Sequence, residues 1–155
     1  MNQTKTENKK ELLLISNSFL YGSGYLDHCE SQIREVLGNG TANILFLPYA
    51  RPSGKTHDEF TAIARERFGR IGYNHFTSLH EIEERFSTLE LIRELRRTIL
   101  SSDAIFVGGG NTFVLLDKLL SFGPLVEDAI QEAVESGGVK YIGASAGSNI
   151  AGRTI

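Results

Sequence analysis

Four short apolar runs punctuate the chain at residues 12–15, 44–47, 104–107 and 139–142. Each is nearly continuous and rich in β-forming residues, the pattern of strands covered on both faces rather than of a sheet with one wet side. Between them the apolar positions switch to helical period: Leu26, Cys29, Ile33, Val36 and Leu37, then Phe60, Ile63, Ala64 and Phe68, then Ile92, Leu95 and Ile99. Residues 112–122 and 125–135 predict two further helices, divided by Gly123-Pro124, where a glycine ends one helix and a proline opens the next. Residues 73–79 give a weaker strand, and the charged stretch 81–85 a surface loop or helix start. Strands alternating with helices imply right-handed βαβ crossovers. The expected fold is α/β: a doubly wound, mostly parallel sheet with helices on both faces and its ligand crevice at the carboxyl ends of the strands.

A chain of 155 residues suits one domain, and 41% hydrophobic with 23% charged residues is ordinary for a globular protein. No apolar stretch approaches the roughly 20 residues that a membrane span needs, so no membrane partner is expected. Residues 1–10 are polar and lack the apolar core of a signal peptide; they read as a flexible extension to a domain over residues 11–155 in a cytoplasmic protein. A net charge of −3 with the signs intermixed offers no basic stripe for a phosphate backbone, which argues against nucleic acid. The single cysteine, Cys29, has no internal partner and is expected on the buried face of the first helix.

Two glycine turns carry the chemistry. Gly143-Ala144-Ser145-Ala146-Gly147 spells Gly-x-Ser-x-Gly at a strand end, the turn on which hydrolases hold a nucleophilic serine. The bland alternative is a glycine-rich strand-to-helix turn whose serine merely caps. Gly108-Gly109-Gly110-Asn111 follows another strand, so the N–H of Gly110 and that of Ala146 form a candidate oxyanion hole for an acyl group on Ser145. The turn lacks the lysine of a Walker loop and the spacing of a dinucleotide loop. Asn111 suits a helix cap or a polar contact to substrate. Arg51, just past the strand ending Leu47-Pro48-Tyr49-Ala50, falls at the same rim and reads first as a surface arginine in a loop, with a substrate carboxylate as the functional alternative.

A serine needs a base to take its proton. The four histidines, His28, His57, His75 and His80, all precede Ser145, and each reads first as a surface or structural side chain. No metal set emerges: His57-Asp58-Glu59 are consecutive, and His75 with His80 lacks the helical i, i+4 spacing. Glu81, Glu83 and Glu84 read as a solvated acidic stretch.

The chain resembles peptidase E, the α-aspartyl dipeptidases, with cyanophycinases as more distant relatives. The resemblance runs from about residue 11 to 155. It is carried by Leu12-Leu13-Leu14-Ile15-Ser16-Asn17-Ser18, Tyr25-Leu26-Asp27-His28, Leu47-Pro48-Tyr49-Ala50, Val107-Gly108-Gly109-Gly110-Asn111-Thr112-Phe113 with Leu115-Leu116, and the run from Tyr141 through Ser145 to Asn149. It implies a fold like the class I glutamine amidotransferases, a serine nucleophile at Ser145, and hydrolysis of dipeptides with an N-terminal aspartate, without metal or organic cofactor. In that family the catalytic histidine and its acidic partner follow the elbow, so the expectation for these 155 residues is an incomplete domain, with the C-terminal part of the family fold absent and little or no turnover alone. Two alternatives stand beside the enzyme: a module that only binds a small acidic ligand in the same pocket, and a structural or regulatory partner docking through an uncovered sheet.

Overall fold

The computed structural model describes residues 9–152, and in it five strands lie on or beside the apolar runs: β1 (Leu12–Ile15), β2 (Ile44–Leu47), β3 (Phe76–Ser78), β4 (Ala104–Val107) and β5 (Lys140–Ala144). All pair in parallel, in the order β1-β5-β4-β2-β3. The helices are α1 (Glu30–Leu37), α2 (His57–Arg70), α3 (Leu79–Glu83), α4 (Thr88–Ser101), α5 (Thr112–Ser121), α6 (Pro124–Glu135) and α7 (Ala146–Asn149). Most of the expected extension, residues 1–8, lies outside the described residues. Among the described residues no helix is long and apolar enough to cross a membrane.

The continuous apolar strands β2, β4 and β5 make a sheet centre buried on both sides. On one face Ile15, Ile44, Phe46, Phe76, Phe106 and Ile142 pack against α1 and α2. Phe46 and Phe106 are register partners on adjacent strands, and their rings stack at 5.2 Å between centroids. Phe60 and Phe68 from α2 close over them. The opposite face joins Leu45, Leu47, Ile105, Val107 and Tyr141 to side chains of α3 through α7. The doubly wound arrangement is therefore the one that the sequence predicts. Helices following β1 and β2 lie on the first face and those following β4 and β5 on the second, so the chain switches sides between β1 and β5 and again between β4 and β2. In open α/β sheets such switch points are where the crevice forms.

Three local readings need correction. The first helix starts later than its apolar spacing suggests, because Leu26 takes a left-handed backbone (φ 57°) and Asp27–Cys29 form a 3-10 turn before α1. Cys29 is buried as expected, but in that turn, with its thiol 3.4 Å from the Leu26 carbonyl. The weak strand shrinks to three residues, since Leu79 opens α3 and Glu81 Oε2 accepts the Ser78 N–H at 3.0 Å. Nor are the acidic residues uniformly solvated. Glu81 grips Arg65 with both oxygens, and Glu83 lies between the Tyr49 hydroxyl and the Lys118 ammonium, each at 2.5 Å.

His80 is a structural side chain, only 3% exposed. Its Nδ1 lies 2.6 Å from Ser78 Oγ and its Nε2 2.9 Å from Asp58 Oδ1, while Thr61 Oγ1 donates to Ser78 Oγ at 3.1 Å. The order serine, histidine, aspartate invites a catalytic reading, but Ser78 is fully buried and no substrate reaches it. The set instead joins the start of α2 to the start of α3. Replacing His80 with alanine leaves a cavity and strips the ring from a buried network, so a loss of about 2–4 kcal/mol is expected. Urea unfolding of His80→Ala followed by circular dichroism measures it.

At the far edge of the sheet β1 has one neighbour, and Leu12 and Leu14 are 43% and 53% exposed. Beside them a groove of about 660 Å³ runs along α5 and α6, lined in part by Leu116, Leu119, Val126, Ile130 and Tyr141.

Candidate active site

Ser145 stands where β5 ends and α7 begins, in a backbone conformation (φ 50°, ψ −108°) that side-chain-bearing residues rarely adopt. Such a conformation costs about 1–3 kcal/mol and persists only where the surroundings impose it. Here they do. The Ser145 N–H donates to the Ile15 carbonyl of β1 at 2.7 Å, and its own carbonyl accepts from Ser148 and Asn149 at 2.8 and 3.0 Å. Tyr141 donates its hydroxyl to the Gly147 carbonyl at 2.6 Å, and burial pushes the phenol's pKa up, keeping it a donor. Ser148 Oγ lies 2.6 Å from the Gly143 carbonyl and 2.8 Å from that of Ile15.

The elbow glycines are there for want of room. A Cβ on Gly143 would sit 2.5 Å from the Gly147 carbonyl oxygen, and one on Gly147 would overlap the Val107 carbonyl at the end of β4. Strand-to-helix reversal and contact with the neighbouring strand both require a bare backbone. Ser145 is not a side-chain cap: its hydroxyl makes no capping bond to α7. By contrast Asn111 is a cap. Its Oδ1 accepts the N–H groups of Phe113 and Val114 at 2.9 and 3.1 Å, fixing α5 where the glycine turn ends.

The two turns abut. A Cβ built on Gly109 would lie 3.1 Å from Ser145 Cβ and 3.0 Å from Ser18 Oγ. Gly110 (φ 140°) backs onto the Ala50 carbonyl, which accepts the Asn111 N–H at 2.8 Å. Among the described residues neither the Gly110 N–H nor the Ala146 N–H has an acceptor. Helix α7 is tied to α5 through Asn149 Nδ2 and Thr112 Oγ1 at 3.0 Å. The sheet's carboxyl edge therefore brings together Ser145, Gly110, Ala146 and Asn111. Arg51 stands one residue beyond Ala50, exposed, also in a left-handed backbone (φ 46°).

Ser18 escaped the sequence reading. It follows β1, is 8% exposed, and its hydroxyl has no hydrogen-bond partner among the described residues. The only sequence signal was its place in the run after the first strand, at the carboxyl edge. No described histidine hydrogen-bonds Ser145. His80 is held by Ser78 and Asp58, and His57 packs its ring edge-on against Tyr49 at 5.3 Å. Burial holds the His57 pKa below its usual value, with His80 and the Arg51 guanidinium adding to the effect.

A parallel α/β sheet with a strained serine at a strand-to-helix elbow is the arrangement on which α/β hydrolases carry their nucleophile. The profile of Peptidase family S51 matches residues 12–155, and the chain belongs to that family. It is 39% identical over 147 residues to a probable alpha-aspartyl dipeptidase of Drosophila melanogaster, covering 94% of this chain and 55% of that one. It is likewise 39% identical over 146 residues to peptidase E of a Nostoc strain, covering 94% and 54%. The chain thus spans about half the length of the curated relatives it matches. Among solved structures, a peptidase from an acI-B1 Actinobacterium superposes with a TM-score of 0.65 at 20% identity, over 90% of this chain and 55% of that one, which bears on the fold alone.

Proposed function

We propose that this chain carries the nucleophile and oxyanion hole of a serine-type dipeptidase acting on dipeptides with an N-terminal aspartate, in the cytosol. The observation that carries it is the Ser145 elbow, held in a costly conformation with its hydroxyl uncapped beside two unpaired N–H groups. The names of the relatives supply the substrate class. In this reading Ser145 Oγ attacks the aspartyl carbonyl, and its proton passes through a base to the leaving amine as the peptide bond breaks. The carbonyl oxygen takes its negative charge between the N–H groups of Gly110 and Ala146. Water then adds to the ester carbonyl, releases aspartate and returns the proton to Oγ. The base is not among the groups that residues 9–152 place at Ser145. Asn111, with Oδ1 committed to the cap, offers substrate its amide nitrogen.

An oxyanion hole without a base still gives about 10³-fold catalysis over water in serine proteases. Incubation with a fluorophosphonate, followed by peptide mass spectrometry, is therefore expected to modify Ser145 in preference to every other serine, and Ser145→Ala to abolish the adduct. Aspartyl-alanine should turn over at least about 10³-fold more slowly with this 155-residue chain than with a peptidase holding a complete triad. An unreactive Ser145 in a folded chain would leave the alternative that lacks of a base favour, a pocket that binds acidic ligands without cleaving them.

A further inference from the structure

Beyond the nucleophile, the rim next to the oxyanion turn has an unbalanced charge. Residues 51–54 form a strained loop: Arg51 (φ 46°) and Ser53 (φ 52°) both have left-handed backbones, flanking Pro52. Non-glycine residues held this way cost about 1–3 kcal/mol each, and such strain gathers at functional sites. The loop hangs from Ala50, whose carbonyl is held by the Asn111 N–H and pressed by Gly110, so Arg51 starts against the oxyanion turn itself.

The groups around it account for one another and leave two over. Glu83 is neutralised by Lys118 and also accepts from Tyr49. Asp58 faces His80 Nε2. Arg51 has no ion-pair partner among the described residues, although nine other salt bridges form there. His57 opens α2 just after the 51–54 loop, its ring packs against those of Tyr49 and His80, and its nitrogens make no hydrogen bond among the described residues. A guanidinium and an imidazole, both free to donate, thus share one rim next to the acyl site.

We propose that Arg51 and His57 form a carboxylate subsite, holding one carboxylate of an acidic dipeptide while its scissile carbonyl sits at Ser145. The assignment rests on the dipeptidase reading above for the substrate class. Arg51 supplies the planar fork that matches a carboxylate, and His57 an N–H from one side. Two carboxylates of such a dipeptide have the same chemistry, the aspartate side chain and the C-terminal group, and both lie within a few bonds of the scissile carbonyl.

Binding without turnover tests it. Calorimetry of Ser145→Ala with aspartyl-alanine is expected to show binding that Arg51→Gln weakens at least tenfold and His57→Phe about threefold or more, with Lys55→Gln as a charge control that changes little. Repeating the Arg51→Gln comparison with aspartyl-alanine amide and with asparaginyl-alanine separates the sources. The ligand on which the penalty vanishes lacks the carboxylate that Arg51 holds. A second readout is the His57 ring C–H resonance, expected to shift on titration in the parent and to need about tenfold more ligand for the same shift in Arg51→Gln. Equal affinity of parent and Arg51→Gln, an equal penalty on all three ligands, or no binding up to about 10 mM would overturn the subsite. None of these outcomes touches the reactivity of Ser145, which phosphonate labelling reads separately.

Discussion

Gly147→Ala is expected to cost about 3–5 kcal/mol, a large part of the roughly 5–15 kcal/mol that holds a domain of this kind together. The added methyl would overlap the backbone carbonyl of Val107. Val107 closes β4, is 1% exposed and is paired on both sides, so it cannot move aside. Gly123→Ala is the opposite case: Gly123, unlike Gly147, has a positive φ (79°), and nothing lies within 4 Å of its built Cβ, so only backbone preference is lost there. That variant should lose only about 1 kcal/mol of backbone preference. Urea midpoints for the two proteins should differ by about 1 M or more. Similar midpoints would mean that the elbow and β4 are not in contact.

The second large effect concerns the turn proposed to hold the oxyanion. Gly110→Ala puts a methyl against the Ala50 carbonyl and asks an L-residue to hold φ near 140°. The turn has to shift, and with it the N–H offered to the acyl oxygen. Loss of one such donor costs about 10²–10³ in rate. The rate of phosphonate labelling at Ser145 is therefore expected to fall about 100-fold, while circular dichroism shows the sheet retained. An unchanged labelling rate would remove Gly110 from the site.

Much of this was legible in the residues because buried parallel strands announce themselves. Three of the four apolar runs coincide residue for residue with β1, β2 and β4. The fourth runs on to Ala144, so that Ser145 follows the last paired residue directly. Gly-x-Ser-x-Gly was readable because sterics leave few residues able to make that bend. Less legible were features that depend on which side chains meet across the fold. Nothing in Asp58, Thr61, Ser78 and His80 taken separately shows that they share one buried network, since two come from α2 and two from the β3–α3 junction. Glu83 seemed to be one of several solvated acids, yet a tyrosine and a lysine from distant segments enclose it. Ser18 carried no motif of its own; only the closeness of the turns after β1 and β4 brings it near Ser145.

The bond from Ser145 to Ile15 couples the two ends of the chain. Among the described residues strand β1 has no partner except β5, and Ser148, which also reaches Ile15, is 133 residues away from it. A ribosome delivering this polypeptide releases the acceptor early and the donor late. Until the last strand slots in beside the first, no neighbour enforces the serine's awkward backbone. The strained backbone at Ser145 is thus imposed only once β5 has docked beside β1.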